Sequence, residues 1–403
     1  MRKLLVTGML ICASWSLLPG EGNLRGYLKS FAGVNTHHTA RWERLYSHLQ
    51  LQISGRIGER IGYRADLVAR YNYLIDRGPA APRTAGLALY PAELYVDYYG
   101  DWMDVRVGQQ YLFWGRADWI NPTDVFTPWD YTNMSSDIED YRIPIPAVKL
   151  SIYPAVGHWE LIYAPRLVPD KIPGPLSASV GDSSLNQAQF GMRYANNLSR
   201  IAWSAYAYRG WRKYPELNKL LQFVAFPFNH QTMLGGDFIY TGEQWAIKGE
   251  SALKFSADRS GDDPLIDNDN IHGVLGIDWI PSEDFSLNIQ SIVRHYLNFD
   301  RQAEVQTIQD QNMSGFIPPP GEATEYSISS LIRYKVSNFV NFQSIIVLNL
   351  ADEDWFWLPF LSWEVADATH LTVGAILFDG PPGSDFGNSA NADQVFIQFK
   401  TSF

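Results

Sequence analysis

The chain ends in the stretch Gln394-Val-Phe-Ile-Gln-Phe-Lys-Thr-Ser-Phe403. Its odd-numbered positions hold valine, isoleucine, phenylalanine and threonine, whereas its even-numbered positions hold mainly glutamine, lysine and serine. Phe396 is the one apolar residue on the even side. A period of two residues predicts a β-strand with one apolar and one polar face. The stretch therefore predicts a strand at 394–403 whose two faces meet different surroundings.

A terminal amphipathic strand that ends in phenylalanine resembles the C-terminal strand of bacterial outer-membrane β-barrels. The resemblance implies that Val395, Ile397 and Phe399 face lipid, and that the even positions face a lumen. The same pattern also fits an ordinary strand of a β-sandwich, with one face in the core and the other in water. Evidence from the rest of the chain is needed to choose between the two folds.

Residues 1–22 have the features of a secretory signal peptide. Two cations follow Met1, and the apolar run from Leu4 to Leu18 is shorter than the roughly 20 residues of a spanning helix. The only cysteine, Cys12, lies in this segment, so the exported protein is expected to contain no disulfide. No later stretch is apolar enough for a helical span, and a membrane location therefore requires a closed barrel.

The composition agrees with a membrane barrel and argues against nucleic acid as a partner. Aromatic residues make up 14% of the chain and include 22 tyrosines, and such side chains form the girdles at the two membrane interfaces. The formal net charge is −11, whereas a nucleic-acid-binding domain is usually basic.

Segments with a two-residue period recur along the chain from about Leu28 onward, and most have the length that a tilted membrane strand needs. They predict about 18 strands, an even number that places both chain ends on the same side of the barrel. The predicted segments are 28–34, 45–53, 61–73, 93–98, 103–114, 148–153, 159–164, 187–194, 201–208, 234–240, 245–255, 271–279, 285–297, 326–336, 340–350, 355–364, 371–378 and 394–403.

The connections alternate between short and long, as periplasmic turns and outer loops do in such barrels. Tight turns are predicted, for example, at Gly100–Trp102, Ala195–Leu198 and Val336–Phe339, and one long connection at Gly115–Pro146. Ala351–Asp354 breaks the rule, because it is short where a long connection is due. The predicted fold is an all-β, transmembrane, antiparallel up-and-down barrel that forms a single domain over residues 23–403.

The polar face of each predicted strand should line a water-filled lumen. Cations are expected there at Lys29, Arg64, Arg70, Arg106, Lys149, Arg193, Lys248, Lys254, Arg294, Arg333, Lys335 and Lys400. The expected acids are fewer: Asp66, Glu93, Asp97, Asp104, Glu250 and Asp278. A lumen with excess positive charge concentrates anions. Alternatively, the cations only solvate the wall and pair with the acids across strands.

The most distinctive text runs from Val105 to Phe126, VRVGQQYLFWGRADWINPTDVF, and opens the long connection at 115–146. Its tryptophans and Asn-Pro turn suggest a folded loop that narrows the lumen. The residues expected to form this constriction are Trp114, Arg116, Asp118, Asn121, Asp124 and Trp129. The string resembles a motif of porin-like and alginate-export-like outer-membrane families, which implies a channel of about 18 strands with an arginine-rich lumen. Alternatively, the loop only braces the wall.

Motifs for catalysis or cofactor binding are absent from the sequence. It contains no Gly-x-Ser-x-Gly, His-Glu-x-x-His or phosphate-binding loop. The acidic run at 261–270 lacks the spacing of a calcium loop, and is better explained as a solvated loop near lipopolysaccharide. The sequence therefore predicts a protein that is not an enzyme and has neither a cofactor nor a metal site.

Two functions follow from the predicted barrel. The first is an outer-membrane channel that passes anionic solutes or an anionic polysaccharide through a basic lumen. The second is a sheath that holds a partner protein, such as a multihaem cytochrome. The expected partners are outer-membrane lipid and lipopolysaccharide, the anionic cargo and, for the sheath function, a protein in the lumen, but no nucleic acid.

Overall fold

A computed structural model describes residues 22–37, 41–73, 86–118, 120–133, 135–171, 187–215, 228–261, 263, 266–310, 321–382 and 384–403. Within these ranges the side chains of 41–43, 138–139 and 307–308 are not described. The predicted signal peptide, apart from Gly22, lies outside the described residues.

Eighteen strands form one antiparallel sheet, which confirms the predicted all-β class and strand number. The strands are β1 (Gly22–Asn35), β2 (Arg41–Ile57), β3 (Ile61–Asn72), β4 (Gly86–Tyr99), β5 (Met103–Gln110), β6 (Ile145–Ile152), β7 (His158–Ala164), β8 (Gln189–Leu198), β9 (Ile201–Trp211), β10 (His230–Thr241), β11 (Trp245–Phe255), β12 (Asn270–Ser282), β13 (Phe285–Tyr296), β14 (Thr324–Lys335), β15 (Val340–Asn349), β16 (Asp354–Ala366), β17 (Thr369–Asp379) and β18 (Gln394–Ser402).

The sheet closes into a barrel because β18 pairs with both β17 and β1. At the end of this seam, Gly26 and Phe403 exchange two backbone hydrogen bonds of 2.9 Å. A Cβ atom at position 26 would lie 2.8 Å from the Phe403 ring, so glycine is what allows this ring to lie over the seam. Each strand consequently has a neighbour on both sides, and the sheet has no free edge.

The two faces of β18 are as the period of two residues predicts. Val395 and Phe399 on the outer face are 49% and 41% exposed, whereas Gln398 on the inner face is 2% exposed. Large apolar side chains are likewise exposed on the outer faces of the other strands, for example Leu275 and Leu361. A largely apolar outer surface on a closed barrel is suited to the hydrocarbon of a membrane.

One sector of the inner wall is apolar, contrary to the prediction that the polar face of each strand points inward. Inward side chains of β14–β18, β1 and β2 form a buried apolar cluster that also packs against Ile120 and Phe386. Its members are Phe31, Tyr46, Leu331, Ile345, Val347, Phe356, Leu358, Phe360, Ile376, Phe378 and Phe396. In β16 both faces are apolar from Trp355 to Leu361, the pattern of a strand covered on both sides.

Strand β5 ends at Gln110, four residues before the predicted end at Trp114. The chain leaves the sheet because Leu112 pairs with Thr127 of the following loop instead of with β6. The Leu112 N–H donates to the Thr127 hydroxyl at 2.9 Å, and this hydroxyl donates to the Leu112 carbonyl at 2.7 Å. The connection between β5 and β6 therefore begins at Tyr111 and turns inward immediately.

Short turns lie at one end of the barrel, and the longer connections lie at the other. The predicted turns at 100–102 and 336–339 are confirmed. The turn predicted at Ala195–Leu198 is wrong, because β8 continues through Leu198 and the turn is Ser199–Arg200, with Ser199 at φ 54°. Between β15 and β16 the connection is short, as the sequence suggested, and consists of Leu350–Glu353.

Helices are a minor part of the described residues. The helix α1 (Arg301–Asp310) lies between β13 and β14, and short 3₁₀ turns lie at Ile138–Tyr141 and Gly387–Ala392. No helix in the described part of the chain combines the length and apolarity needed to cross a membrane.

We predict opposite tolerance to charge at two adjacent positions of β16. Leu361 faces outward and is 48% exposed, whereas Ser362 faces inward. Leu361→Arg should lower the free energy of unfolding by about 2–4 kcal/mol, because it places a cation in hydrocarbon. Ser362→Arg should cost less than about 1 kcal/mol. Reversible urea unfolding in lipid bilayers measures both, and equal costs would contradict the assignment of the faces.

Candidate functional site: the interior of the barrel

The connection between β5 and β6, residues 111–144, lies against the inner wall on both sides of the barrel. Its side chains or backbone contact inward residues of β7, β9, β10, β11 and β13 on one side. On the other side it contacts inward residues of β1, β3 and β18. We call residues 111–144 the inner loop. It includes all six residues of the predicted constriction.

The start of the inner loop is held by an aromatic core. Trp114 is 2% exposed and packs edge-on against Phe126, at a ring-centroid distance of 5.1 Å. Phe126 makes the same kind of contact with Tyr208 of β9. The Trp114 indole N–H also donates to Glu160 of β7 at 2.7 Å, so its one polar atom is satisfied. Burial of these rings fixes where the loop leaves the wall.

Glu250 of β11 holds the next segment through a single carboxylate. Its Oε2 accepts hydrogen bonds from the backbone N–H groups of Arg116 and Ala117, at 2.8 and 3.0 Å. Its Oε1 accepts from the backbone N–H and the hydroxyl of Thr123, at 2.7 and 2.9 Å. Hydrogen bonds to an ionised carboxylate are stronger than neutral ones. Glu250 therefore binds two separate parts of the loop to one strand.

Asn121 forms the turn that brings these N–H groups together. Its Oδ1 accepts from the backbone N–H groups of Thr123 and Asp124, and its Nδ2 donates to the Trp114 carbonyl at 2.8 Å. The following residue, Pro122, restricts the backbone further. The Asn-Pro pair in the sequence thus marks a tight turn, as predicted, and the turn faces Glu250.

Two ion pairs fasten the same part of the loop to β10 and β11. The Arg116 guanidinium donates to Asp237 at 2.7 Å, and the Asp237 carboxylate also accepts from the Tyr206 hydroxyl. Asp118 pairs with Lys248 and accepts a hydrogen bond from Gln290 at 2.6 Å. Because Asp237 and Lys248 are each less than 10% exposed, these pairs depend less on salt than surface pairs do.

The far side of the inner loop is attached through carboxylates. Lys29 of β1 lies 2.5 Å from Asp140 and 3.3 Å from Asp137, and Lys400 of β18 lies 3.1 Å from Asp137. Burial acts to raise the pKa of Asp137, but the ammonium groups of Lys29 and Lys400 outweigh it and hold this pKa below the usual aspartate value. Asp137 is therefore charged at neutral pH.

Two further residues of the predicted constriction, Asp124 and Trp129, meet at Arg142. This guanidinium pairs with Asp124 and lies 3.9 Å from the centre of the Trp129 ring. The Trp129 backbone N–H donates to the Asp170 carboxylate at 2.6 Å, and Asp170 lies in the connection after β7. Burial raises the pKa of Asp170, against the effect of the nearby Lys213 ammonium. The inner loop is thus bound to a neighbouring connection as well as to the wall.

The predicted inward cations divide into those with and without a carboxylate partner. The pairs are Arg64 with Asp66 and Glu93, Arg106 with Asp97, Lys149 with Glu160, Lys248 with Asp118 and Asp278, Arg294 with Glu325, Lys335 with Asp284, and Lys29 and Lys400 as above. No carboxylate of the described residues lies within 4.0 Å of Arg70, Arg193, Lys254 or Arg333. Arg70 instead donates to Asn133 of the inner loop at 2.8 Å.

The predicted inward acids serve mostly as partners of these cations. Asp66, Glu93 and Asp97 lie on the inner faces of β3 and β4 and are each less than 9% exposed. Glu93 also accepts from the Tyr111 N–H at 3.2 Å, at the start of the inner loop. Asp104 accepts a hydrogen bond from the Tyr153 hydroxyl at 2.8 Å. Glu250 is the exception, because it binds backbone N–H groups and has no cation partner among the described residues.

Three cavities lie against the inner face, and cations outnumber acids in each. One of about 1000 Å³ is lined by Arg44, Arg64, Arg70, Arg142, Lys171, Asp66, Glu93, Asp130 and Asp140 among its charged residues. A second, of about 500 Å³ beside the short turns, has Arg56, Arg64, Arg106 and Asp97. The third, of about 690 Å³, has Arg116, Arg193 and Arg200 and no acid among the described residues. Arg64 borders both the first cavity and the second.

Several residues that hold the interior together were not singled out in the sequence. They are Asp137, Asp140, Arg142, Glu160 and Asp237. Asp237 and Glu160 lie on the polar face of predicted strands, so the two-residue period could have identified them. Asp137 and Asp140 carry no such pattern, because their partners are more than 100 positions away in the chain.

Comparison with solved structures shows similarity over nearly the whole chain. OccAB3 of Acinetobacter baumannii aligns with a TM-score of 0.55 and 11% identity, over 95% of this chain and 99% of that one. OccK7 (OpdD) of Pseudomonas aeruginosa aligns with 0.56 and 9%, over 95% and 99%. OmpF of Salmonella typhi, in complex with daunomycin, aligns with 0.50 and 10%, over 95% and 98%. The fold is that of an outer-membrane porin.

This similarity shows the fold, and the apolar outer surface is suited to the bacterial outer membrane. The matched structures share the barrel fold with this chain at identities of 9–11%. They do not show the alginate-export family, so that part of the resemblance stays a prediction. No family model matches the sequence, and no curated protein does.

Among the described residues, no group of three or more His, Cys, Asp or Glu side chains is arranged so that it could hold a metal ion.

We predict that Glu250→Gln loosens the inner loop. The glutamine amide has only one acceptor oxygen, and its NH₂ group would face backbone N–H donors of the loop. At least one pair of hydrogen bonds is therefore lost, and a buried donor without a partner costs about 1–3 kcal/mol. Hydrogen exchange at Arg116, Ala117 and Thr123 should accelerate at least about fivefold, while exchange in the strands stays unchanged. Glu325→Gln, an inward acid whose hydrogen bonds do not reach the inner loop, is the control. Unchanged exchange in Glu250→Gln would contradict the anchoring role.

We predict that the far attachment of the loop is lost only in acid. Since the folded-state pKa of Asp137 lies below that of a free aspartate, about 3.9, its stabilisation is complete above that pH and disappears as pH falls through the lower value. The anisotropy of a dye on Thr132→Cys, in a protein without Cys12, should stay constant from neutral pH to about 5. At lower pH the anisotropy should fall as Asp137 becomes protonated. Asp137→Asn should lower the anisotropy already at neutral pH.

Proposed function

We propose that the chain forms a water-filled channel in the outer membrane for small anionic solutes. The observation that carries this proposal is the excess of Lys and Arg over Asp and Glu around each of the three inner cavities. Charge of one sign along a narrow aqueous path raises the local concentration of ions of the other sign. The protein as a whole is acidic, with a formal net charge of −11, so its inward basic residues contrast with the rest of the chain.

The cations without a carboxylate partner should contribute most to this selectivity. Where an arginine is paired, as Arg106 is with Asp97 at 2.7 Å, its field is largely cancelled at a distance. Arg70 borders the largest cavity, and Arg193 borders the cavity without acids. Neither guanidinium has a carboxylate within salt-bridge distance among the described residues. We therefore assign the binding of passing anions first to Arg70 and Arg193.

The inner loop supports the same proposal by its attachment to both sides of the wall. A segment held by Glu250 and Arg116 on one side and by Lys29 and Lys400 on the other would reduce the open cross-section. The predicted constriction residues Trp114, Asp118, Asn121, Asp124 and Trp129 all belong to it. Small solutes suit such a passage better than an anionic polysaccharide, which would have to thread past the same loop.

The sheath function is the weaker candidate. A barrel that holds a partner protein needs free space along its axis, whereas the inner loop contacts β1 and β3 as well as β10 and β11. The loop would have to leave these partners, including the buried Lys29 and Glu250, to admit another chain. Leaving those buried charges without their partners carries an energetic cost.

Bilayer recordings with a salt gradient test the channel. The purified protein should show a reversal potential that indicates preference for chloride over potassium. Arg70→Gln removes a charge without leaving unpaired any carboxylate that the structure describes. It should lower the chloride preference about twofold to fivefold, since one charge at close range in water contributes about 1 kcal/mol. Arg60→Gln is the control, because Arg60 lies in a short turn and pairs there with Asp101.

Cation preference of the unaltered protein would contradict the proposal. The same would be true of a chloride preference that neither Arg70→Gln nor Arg193→Gln reduces.

A further inference from the structure

Arg209 of β9 differs from the other cations of the wall because it faces outward. It pairs laterally with Phe190 of β8 and Thr232 of β10, both of which lie on the outer face. Among the strand residues whose side chains are described, the register places every other Lys and Arg on the inner face. A cation on the lipid side of a barrel is costly at mid-depth and tolerated near an interface.

The position of Arg209 along β9 places it at the outer interface of the membrane. β9 rises from the short turn at Ser199–Arg200 and ends at Trp211, so Arg209 lies close to the end with the long connections. Tyr163 and Phe190, with ring centroids 5.1 Å apart, continue the same row across β7 and β8. Aromatic side chains in such a row form the girdle at the level of the lipid headgroups.

Arg209 retains most of its capacity to donate hydrogen bonds. One guanidinium nitrogen donates to the Thr232 hydroxyl at 2.6 Å, which orients the group along the surface. No carboxylate of the described residues lies within 4.0 Å of it. A guanidinium has five N–H donors in a planar fork that matches phosphate. The group is thus oriented and exposed, and no carboxylate in the described part of the chain pairs with it.

An apolar groove of about 570 Å³ lies in the outer face next to Arg209. The row below Arg209 consists of Leu161, Met192, Ala207 and Leu234, in which a small residue lies between two large ones. Met192 and Leu234 are 43% and 50% exposed and form the walls, while Ala207 forms the floor. The groove therefore has the shape for a hydrocarbon chain and a cation at its headgroup end.

We propose that this groove and Arg209 bind a phosphorylated, acylated lipid of the outer leaflet, namely lipopolysaccharide. The phosphate of its lipid A portion accepts from the Arg209 guanidinium, and one acyl chain lies over Ala207 between Met192 and Leu234. Charge complementarity selects this occupant over a neutral lipid, because a cation without a counter-ion at this interface attracts an anionic headgroup. The site lies on the lipid side of the wall and is independent of the proposed channel.

Two variants test the two halves of the site. Arg209→Gln removes the charge, and Ala207→Leu fills the floor while leaving the charge in place. The full-length protein in detergent is titrated with diphosphoryl lipid A, and bound lipid is counted by native mass spectrometry. Arg209→Gln should weaken binding about fivefold, since one basic residue near a membrane surface contributes about 1 kcal/mol. Ala207→Leu should weaken it by about the same factor, because the acyl chain no longer reaches the floor of the groove. Ala207→Ser and Arg60→Gln, which change neither groove nor phosphate contact, should bind as the unaltered protein does.

Four results would overturn the proposal. They are equal binding of diphosphoryl and dephosphorylated lipid A, unchanged binding in Arg209→Gln, unchanged binding in Ala207→Leu, and a change in the number of protein subunits with either variant. The last would assign the groove to contact between copies of this chain. The reversal potential of Arg209→Gln should equal that of the unaltered protein, so a failure here is distinct from a failure of the channel proposal.

Discussion

The structure depends on the requirement that backbone N–H and C=O groups be hydrogen-bonded wherever water is absent. In hydrocarbon an unsatisfied group costs several kcal/mol, and a sheet meets the requirement only if its two edges join. Here the pairing of β1 with β18 joins them, and the contact of Gly26 with Phe403 completes the seam. The apolar outer face, the inward charges and the position of the inner loop all presuppose this closure.

Inside the barrel the same requirement acts on side chains. Buried charges are tolerated only with partners, and the inner loop supplies them to Lys29, Asp237, Lys248 and Glu250. Without the loop, Lys29 and Asp237 would lose their ion-pair partners, Glu250 would lose its backbone donors, and Lys248 would keep only Asp278. The loop and the inner wall are therefore interdependent, which explains, together with the burial of Trp114 and Phe126, why the loop lies inside.

Much of the fold follows from local pattern. The eighteen strands were predictable because outward positions alternate with inward ones along each strand. The lengths of the connections indicated at which end of the barrel each connection lies. The end of β5 at Gln110 was not predictable from local pattern, because it depends on hydrogen bonds between Leu112 and Thr127. The apolar inner sector was also missed, since a lumen was assumed to be polar all round. In β16 the uninterrupted apolar run from Trp355 to Leu361 was the available indication.

The environment of Glu250 has a consequence for how the interior responds to its contents. The N–H groups of Arg116, Ala117 and Thr123 form an anion receptor, and its ligand is covalently part of the chain. The Glu250 carboxylate is fixed on β11 and accepts four hydrogen bonds from the loop, so chloride or a passing solute would have to replace all of them at once. The shape of the loop at this point should therefore change little with the anion that passes it.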